Sequence, residues 1–289
     1  MSFIDDIKYK YQNGSPLIRL IIINVAVFVA TLLIRISFMF SGKDGAFMVN
    51  DYLGIPLDVD KVLYRFWTPI TYMFIHANIW HILWNMLFLY WFGEIVNNLI
   101  GRSKITAIYF YGGIAGALLA LLLSLTPLVP NLPLVGASGA VNAIMFAAVT
   151  LAPNYEFNLL IIGRIKIKYI AAFKIVMDLA AISINDNSGG SICHIGGALF
   201  GWFFITQLRN GNDWSVGFNR FLDSITGIFS SRPKMKVVHK SKSHVVKKKT
   251  SSEENKQKRL DEILDKISKS GYPSLTEEEK EFLFRASND

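Results

Sequence analysis

Cysteine occurs once in the 289 residues, as Cys193. That excludes an intramolecular disulfide and any metal cage built from cysteines. As a nucleophile Cys193 would need a partner base and a lowered pKa, so we read it as a small apolar filler beside His194. Charge is also scarce. Asp, Glu, Lys and Arg make up 18% of the chain and fall mostly between apolar blocks. A cleavable leader is not expected, because the first residues are polar (Asp5, Asp6, Lys8, Lys10) and the first apolar block is too long for one.

What the chain has instead is long apolar runs. It is 52% hydrophobic with a mean hydropathy of +0.34, above the norm for a soluble domain. The runs read as Leu20–Phe40, Ile79–Leu99, Ile105–Leu125, Ser138–Leu151, Ile167–Ile182 and Gly189–Leu208. A helix needs about 20 such residues to cross the hydrocarbon layer. The expected fold is therefore all-α, a six-span membrane bundle with a short fourth helix and a small helical tail. Lys8, Lys10, Arg19, Arg102, Lys104, Arg164, Lys166 and Lys168 lie at one set of connections, whereas Thr126–Gly136 carries no basic residue and Ser183–Gly190 only Asp186. The positive-inside rule then puts both termini in the cytoplasm and the protein in a cell membrane, in contact with lipid. The net charge of +8 resides mainly in the tail and does not indicate nucleic-acid binding.

The membrane domain is expected over residues 1–210. Residues 211–255 read as an interfacial helix (Trp214 to Phe229) with a Lys-rich linker (Lys234 to Lys249). Residues 256–289 read as a helical hairpin broken at Gly271-Tyr272-Pro273, its second helix opened by a Thr276/Glu279 capping box.

The fourth run sets the functional reading. From Ser138 to Ala152 it spans only ~22 Å at ~1.5 Å per residue, and Pro153 with the basic loop fixes its inner end. Ser138 then opens a helix ~8 Å below the far surface, at the floor of a cavity, since irregular backbone at that depth must line water or be buried in protein. His194, a few residues into the last run, falls at a similar depth. So do His81 and Asn85, which share one face of the second run. Amide hydrolysis by serine needs a base and oxyanion donors. His194 is the natural base. The free N–H groups at Ser138 supply donors, and His81 and Asn85 add side-chain donors. No acidic residue stands out to orient His194, so a Ser–His dyad is expected rather than a triad. Gly136 and Gly139 allow close approach to Ser138. Gly197 and Gly201 form a GxxxG pair facing Ala143 and Ala147. For Asp178 the residues leave three roles open: gate, cavity wetting, or helix–helix hydrogen bonding.

The set His76-x4-His81-x3-Asn85, Gly136-Ala137-Ser138-Gly139 and His194-x2-Gly197-x3-Gly201 resembles the rhomboid family of intramembrane serine proteases, over residues 15–210. The resemblance implies Ser138 as nucleophile and His194 as general base. It implies His81, Asn85 and the Ser138 amide as the oxyanion hole, with transmembrane proteins as substrates and no cofactor or metal. It also implies a membrane-embedded first loop around Trp67 and gating by the fifth span. Three positions depart from the family pattern. Asn142 replaces the aromatic residue one turn after the serine and is expected to hydrogen-bond His194. Thr68 follows Trp67 where the family has arginine, and Asn97 stands where an acidic residue is common. His76 is expected to be structural or loop-solvated rather than catalytic. Two alternatives stand beside this reading: a catalytically silent rhomboid-like protein that binds membrane helices, and a transporter whose polar residues line a pathway.

Overall fold

A computed structural model describes residues 2–130, 132–159, 163–184, 187–229 and 251–286. Asp186 and the Lys-rich linker at 234–249 lie outside the described residues. The chain divides into two compact units, Met1–Ser230 and Ser231–Asp289.

The first unit opens with an amphipathic helix, α1 (Phe3–Asn13), closed by a reciprocal Ser2/Asp5 capping box. Ser15 and Pro16 then start α2 (Pro16–Phe40), as an N-cap hydroxyl and a first-turn proline should. The long first loop carries three short helices: α3 (Gly45–Leu53), α4 (Val59–Tyr64) and α5 (Thr68–Thr71). Asp44 and Asp58 cap the first two.

Four long helices and one short one follow. They are α6 (Ile79–Ile100), α7 (Ile105–Leu123), α8 (Ser138–Leu151), α9 (Ile167–Ile184) and α10 (Ser188–Arg209). A hairpin of β1 (Glu156–Leu159) and β2 (Gly163–Lys166) joins α8 to α9, with Glu156 opposite Lys166. Helix α11 (Trp214–Phe229) completes the unit. Its Phe218 packs on Phe110 and Tyr111, and Asn219 donates to the Ser103 carbonyl at 3.0 Å.

By length and composition, four helices can cross a membrane: Pro16–Phe40, Ile79–Ile100, Arg102–Leu123 and Ser188–Arg209. Helix α8 has 14 residues, about 21 Å at 1.5 Å per residue, and is too short to cross alone. Helix α9 has 18 residues and carries Lys168, Lys174 and Asp178.

The core sits around α8. Ala140, Ala143, Ile144, Ala147 and Ala148 on it are wholly buried, and α6, α7, α9 and α10 all pack against it. Apolar side chains on the outer faces stay exposed, among them Val29, Leu32 and Leu33 on α2 and Phe173, Val176 and Met177 on α9. Such an inverted surface suits lipid and is a liability in water.

Small residues bring α10 and α8 together. A Cβ on Gly197 would overlap the Gly139 carbonyl, and one on Gly201 the Ala143 carbonyl. The two glycines, one turn apart, therefore meet two α8 residues one turn apart, with the backbones in direct contact. Polar groups pin the first loop. Tyr72 donates its hydroxyl to the Gly113 carbonyl at 2.6 Å, and Tyr109 bridges Asn24 and the Met73 carbonyl. Trp67 donates to the Tyr52 carbonyl at 2.9 Å. Arg65, two residues before Trp67, pairs with Asp51 and lies over the Tyr52 ring.

In the second unit, α12 (Ser251–Ser270) ends at Gly271 and α13 (Glu277–Ala286) begins after Thr276. The capping box is present, since Thr276 and Glu279 exchange side-chain to backbone hydrogen bonds. Lys266 of α12 also reaches both Glu279 oxygens, at 2.9 and 2.8 Å.

Candidate active site

An extended segment delivers the chain to Ser138. Leu134 and Ile55 exchange backbone hydrogen bonds at 3.0 and 2.9 Å, and the Gly136 amide donates to the Tyr72 carbonyl. Gly136 has φ +127°, and a Cβ there would press on the His81 ring at 2.7 Å, so glycine is required on both counts. The chain then turns into α8 with Ser138 as its first residue. Ala137 caps without a side-chain hydrogen bond, leaving first-turn N–H groups free of helical partners beside the serine hydroxyl.

His194, on α10 one turn before Gly197, points its Nε2 at Ser138 Oγ across 2.7 Å. Its other nitrogen, Nδ1, lies 2.8 Å from Asp178 Oδ1. Lys174, one turn earlier on α9, contacts Asp178 Oδ2 and lies 3.0 Å from the same Nδ1. The sequence offered no acidic partner for His194, whereas the structure sets Asp178, 5% exposed, against its Nδ1. Lys174 was not singled out at all. The available signal was the i,i+4 spacing of two opposite charges in an otherwise apolar helix, where charges pair because a lone one is costly.

Asn142 also departs from expectation. It does not reach His194. Its Nδ2 donates to the Ser138 carbonyl at 2.8 Å, the i−4 bond open to a polar side chain on a helix. Its Oδ1 is buried without a protein partner. Asn85 likewise turns to its own helix, donating to the His81 carbonyl at 2.8 Å. Both nevertheless line the site. The His81 Nδ1 accepts the Ala77 N–H at 3.4 Å, so the neutral ring carries its proton on Nε2, the nitrogen that faces Gly136. His76 is fully buried and stands edge-on to His81, centroids 5.2 Å apart, which is a structural role. Cys193 is buried 3.7 Å from the Tyr72 hydroxyl, in the gap beside Gly139 and Gly116.

Two cavities meet at this point. One, of about 390 Å³, is an apolar groove between α6, α8 and α9, walled by Trp80, Trp84, Phe88, Val141 and Met145. The other, about 510 Å³, is lined by Pro133, Leu134, Val135, Asn187 and Gly190, at the end of the bundle opposite the basic loops. Asn78, His81, Ser138 and His194 border both. Among the described residues, no group of three or more His, Cys, Asp or Glu side chains converges to hold a metal ion.

A helical bundle with a serine, histidine and carboxylate in line at its cavity floor defines a candidate membrane-embedded hydrolase. Residues 64–210 match the Rhomboid domain family, and the chain belongs to that family. Residues 247–289 match a family of unknown function (DUF6576). The chain is 28% identical to RHOMBOID-like protein 12, mitochondrial, of Arabidopsis thaliana over 213 residues, 69% of this chain and 60% of that one. It is 27% identical to Presenilin-associated rhomboid-like protein A, mitochondrial, of Danio rerio over 136 residues, 46% of this chain and 35% of that one. It is 28% identical to Rhomboid protein 1, mitochondrial, of Saccharomyces cerevisiae over 138 residues, 45% and 39% of the two chains. The matches thus cover 35% to 60% of the length of these three relatives. Their mitochondrial names overturn the expected cell-membrane location.

Proposed function

We propose that the protein is an intramembrane serine endopeptidase that cleaves single-span membrane proteins near the membrane border opposite the basic loops. The observation that carries this reading is the 2.7 Å contact of His194 Nε2 with Ser138 Oγ, at a helix start where an apolar groove and a more polar cavity meet. Six passes follow if α8 and α9 cross together with α2, α6, α7 and α10. The names of the relatives favour a mitochondrial membrane.

In this reading the substrate helix lies in the apolar groove and unwinds locally to present its backbone. Helix-weakening residues and a small residue at the cleavage point are expected in it. Ser138 Oγ attacks the scissile carbonyl carbon while its proton passes to His194 Nε2. The first-turn N–H groups of α8, His81 Nε2–H and the Asn85 amide hold the oxyanion. Collapse breaks the C–N bond, His194 protonates the leaving amine, and an ester remains on Ser138. Water activated by His194 hydrolyses that ester and restores the serine. No cofactor is called on.

A fluorophosphonate probe tests the proposal. Covalent labelling at Ser138 of the folded protein in detergent is expected, and it is lost in His194→Ala. A folded protein that binds membrane helices but takes no label would instead be a silent member of the family.

A further inference from the structure

Helix α9 brings two charged side chains to a site that the serine and histidine alone would complete. Lys174 and Asp178 are one turn apart on a helix whose neighbouring side chains Phe173, Val176, Met177 and Leu179 are exposed and apolar. Within an apolar span such a pair is costly to hold. It is not simply self-satisfied, because Asp178 divides its two oxygens. Oδ2 takes the Lys174 ammonium, and Oδ1 lies 2.8 Å from His194 Nδ1.

The division has a consequence for the base. Neutral imidazole carries one proton, and its position depends on what each nitrogen faces. A carboxylate accepts only, so Asp178 Oδ1 fixes the proton on Nδ1 and leaves the Nε2 lone pair toward Ser138 Oγ. Lys174 donates only. It also stands 3.0 Å from Nδ1, and without Asp178 its ammonium would donate there. That would put the proton on Nε2, the tautomer that cannot take the serine's proton.

We infer that Asp178 is a positioning residue for the proposed hydrolysis, holding His194 in the tautomer that accepts the Ser138 proton, and that Lys174 occupies its second oxygen and so fixes the orientation of the carboxylate. The inference rests on the serine-protease reading. It separates that reading's two-residue form from a three-residue site in which the third member belongs to the helix bordering the substrate groove.

The arrangement makes an uncommon prediction about a pair of variants. In Asp178→Asn the only acceptor oxygen is claimed by Lys174, which turns the amide N–H toward His194 Nδ1 and enforces the wrong tautomer. Removing Lys174 as well frees the amide to flip and offer its oxygen to Nδ1–H. The double variant should therefore be more active than the single one.

The experiment measures cleavage of a single-span reporter in liposomes by wild type, Asp178→Asn and Asp178→Asn/Lys174→Met, with thermal unfolding in parallel. Wild-type cleavage that depends on Ser138 establishes the underlying reading. We expect Asp178→Asn to lose up to about 10⁴ in kcat, the loss when a triad histidine is held in the wrong tautomer, with KM little changed and an unfolding temperature near wild type. The double variant should regain at least tenfold of the lost kcat. A purely structural pair gives the opposite order, with the double variant no better than the single one, and that result overturns the inference. Full kcat in Asp178→Asn also overturns it. Should Asp178→Asn not accumulate, Asp178→Ala with added formate serves instead. Acceleration by formate supports the assignment, and no response in a folded, substrate-binding variant refutes it.

Discussion

Gly197 of α10 lies so close to Gly139 of α8 that a Cβ on the first would overlap the carbonyl oxygen of the second. The contact fixes the vertical register of the two helices. His194 is one turn before Gly197 and Ser138 is one residue before Gly139, so the same contact brings imidazole and hydroxyl to 2.7 Å. Gly197→Ala should separate the helices and abolish most cleavage, because ~1 Å of misplacement in a catalytic pair costs about 10²-fold. Labelling of Ser138 by a fluorophosphonate, compared with wild type, measures the loss. Unchanged labelling in that variant would show the register to be set elsewhere.

Asn85→Ala is expected to lower kcat by about 10²–10³, the typical effect of removing one oxyanion donor. The protein should remain folded, since among the described residues Asn85 bonds its own helix in the resting state. Reporter cleavage under saturating substrate checks this. The same substitution at Asn142 should cost far less, because its amide reaches the Ser138 carbonyl and not the base.

Much of this site was legible in the sequence. Ser138 sits beside glycine in a run cut short by Pro153, and both features are local, so the helix start follows from counting. The GxxxG spacing at Gly197 and Gly201 announced a close helix contact, but its partners are Gly139 and Ala143, one turn before the expected Ala143 and Ala147. Asp178 was not legible in the same way. Its bond to His194 depends on the rotation of α9 about its own axis and on where α10 passes, neither of which periodicity in one helix specifies. Asn142 misled for a related reason. A polar side chain on a helix chooses between a neighbour across the gap and its own i−4 carbonyl, and only the packed structure decides. The short helices of the first loop escaped because their caps, Asp44 and Asp58, start segments too brief to show a period.

Away from the membrane core, Asp213 offers a pH test. Partial burial works against its ionisation, but the Lys104 ammonium at 2.7 Å and two hydrogen bonds from Ser215 outweigh that and hold the carboxyl below its ordinary value. A carboxylate lowered on folding adds stability above its unfolded pKa of about 4, and the gain is lost as pH falls through the folded value. Thermal unfolding of wild type and Asp213→Asn should therefore differ at neutral pH, by about 1 kcal/mol for a partly buried pair. The two should converge as the pH drops below about 4.

The account's central claim is that Ser138 and His194 together break a peptide bond within the membrane. Its most direct test is cleavage of a single-span reporter by the purified protein in liposomes, with the product site read by mass spectrometry. Wild type should cut at one position near the border opposite the basic loops. Ser138→Ala and His194→Ala should each give no product while accumulating normally in the membrane. Product formation that persists in either variant contradicts the claim.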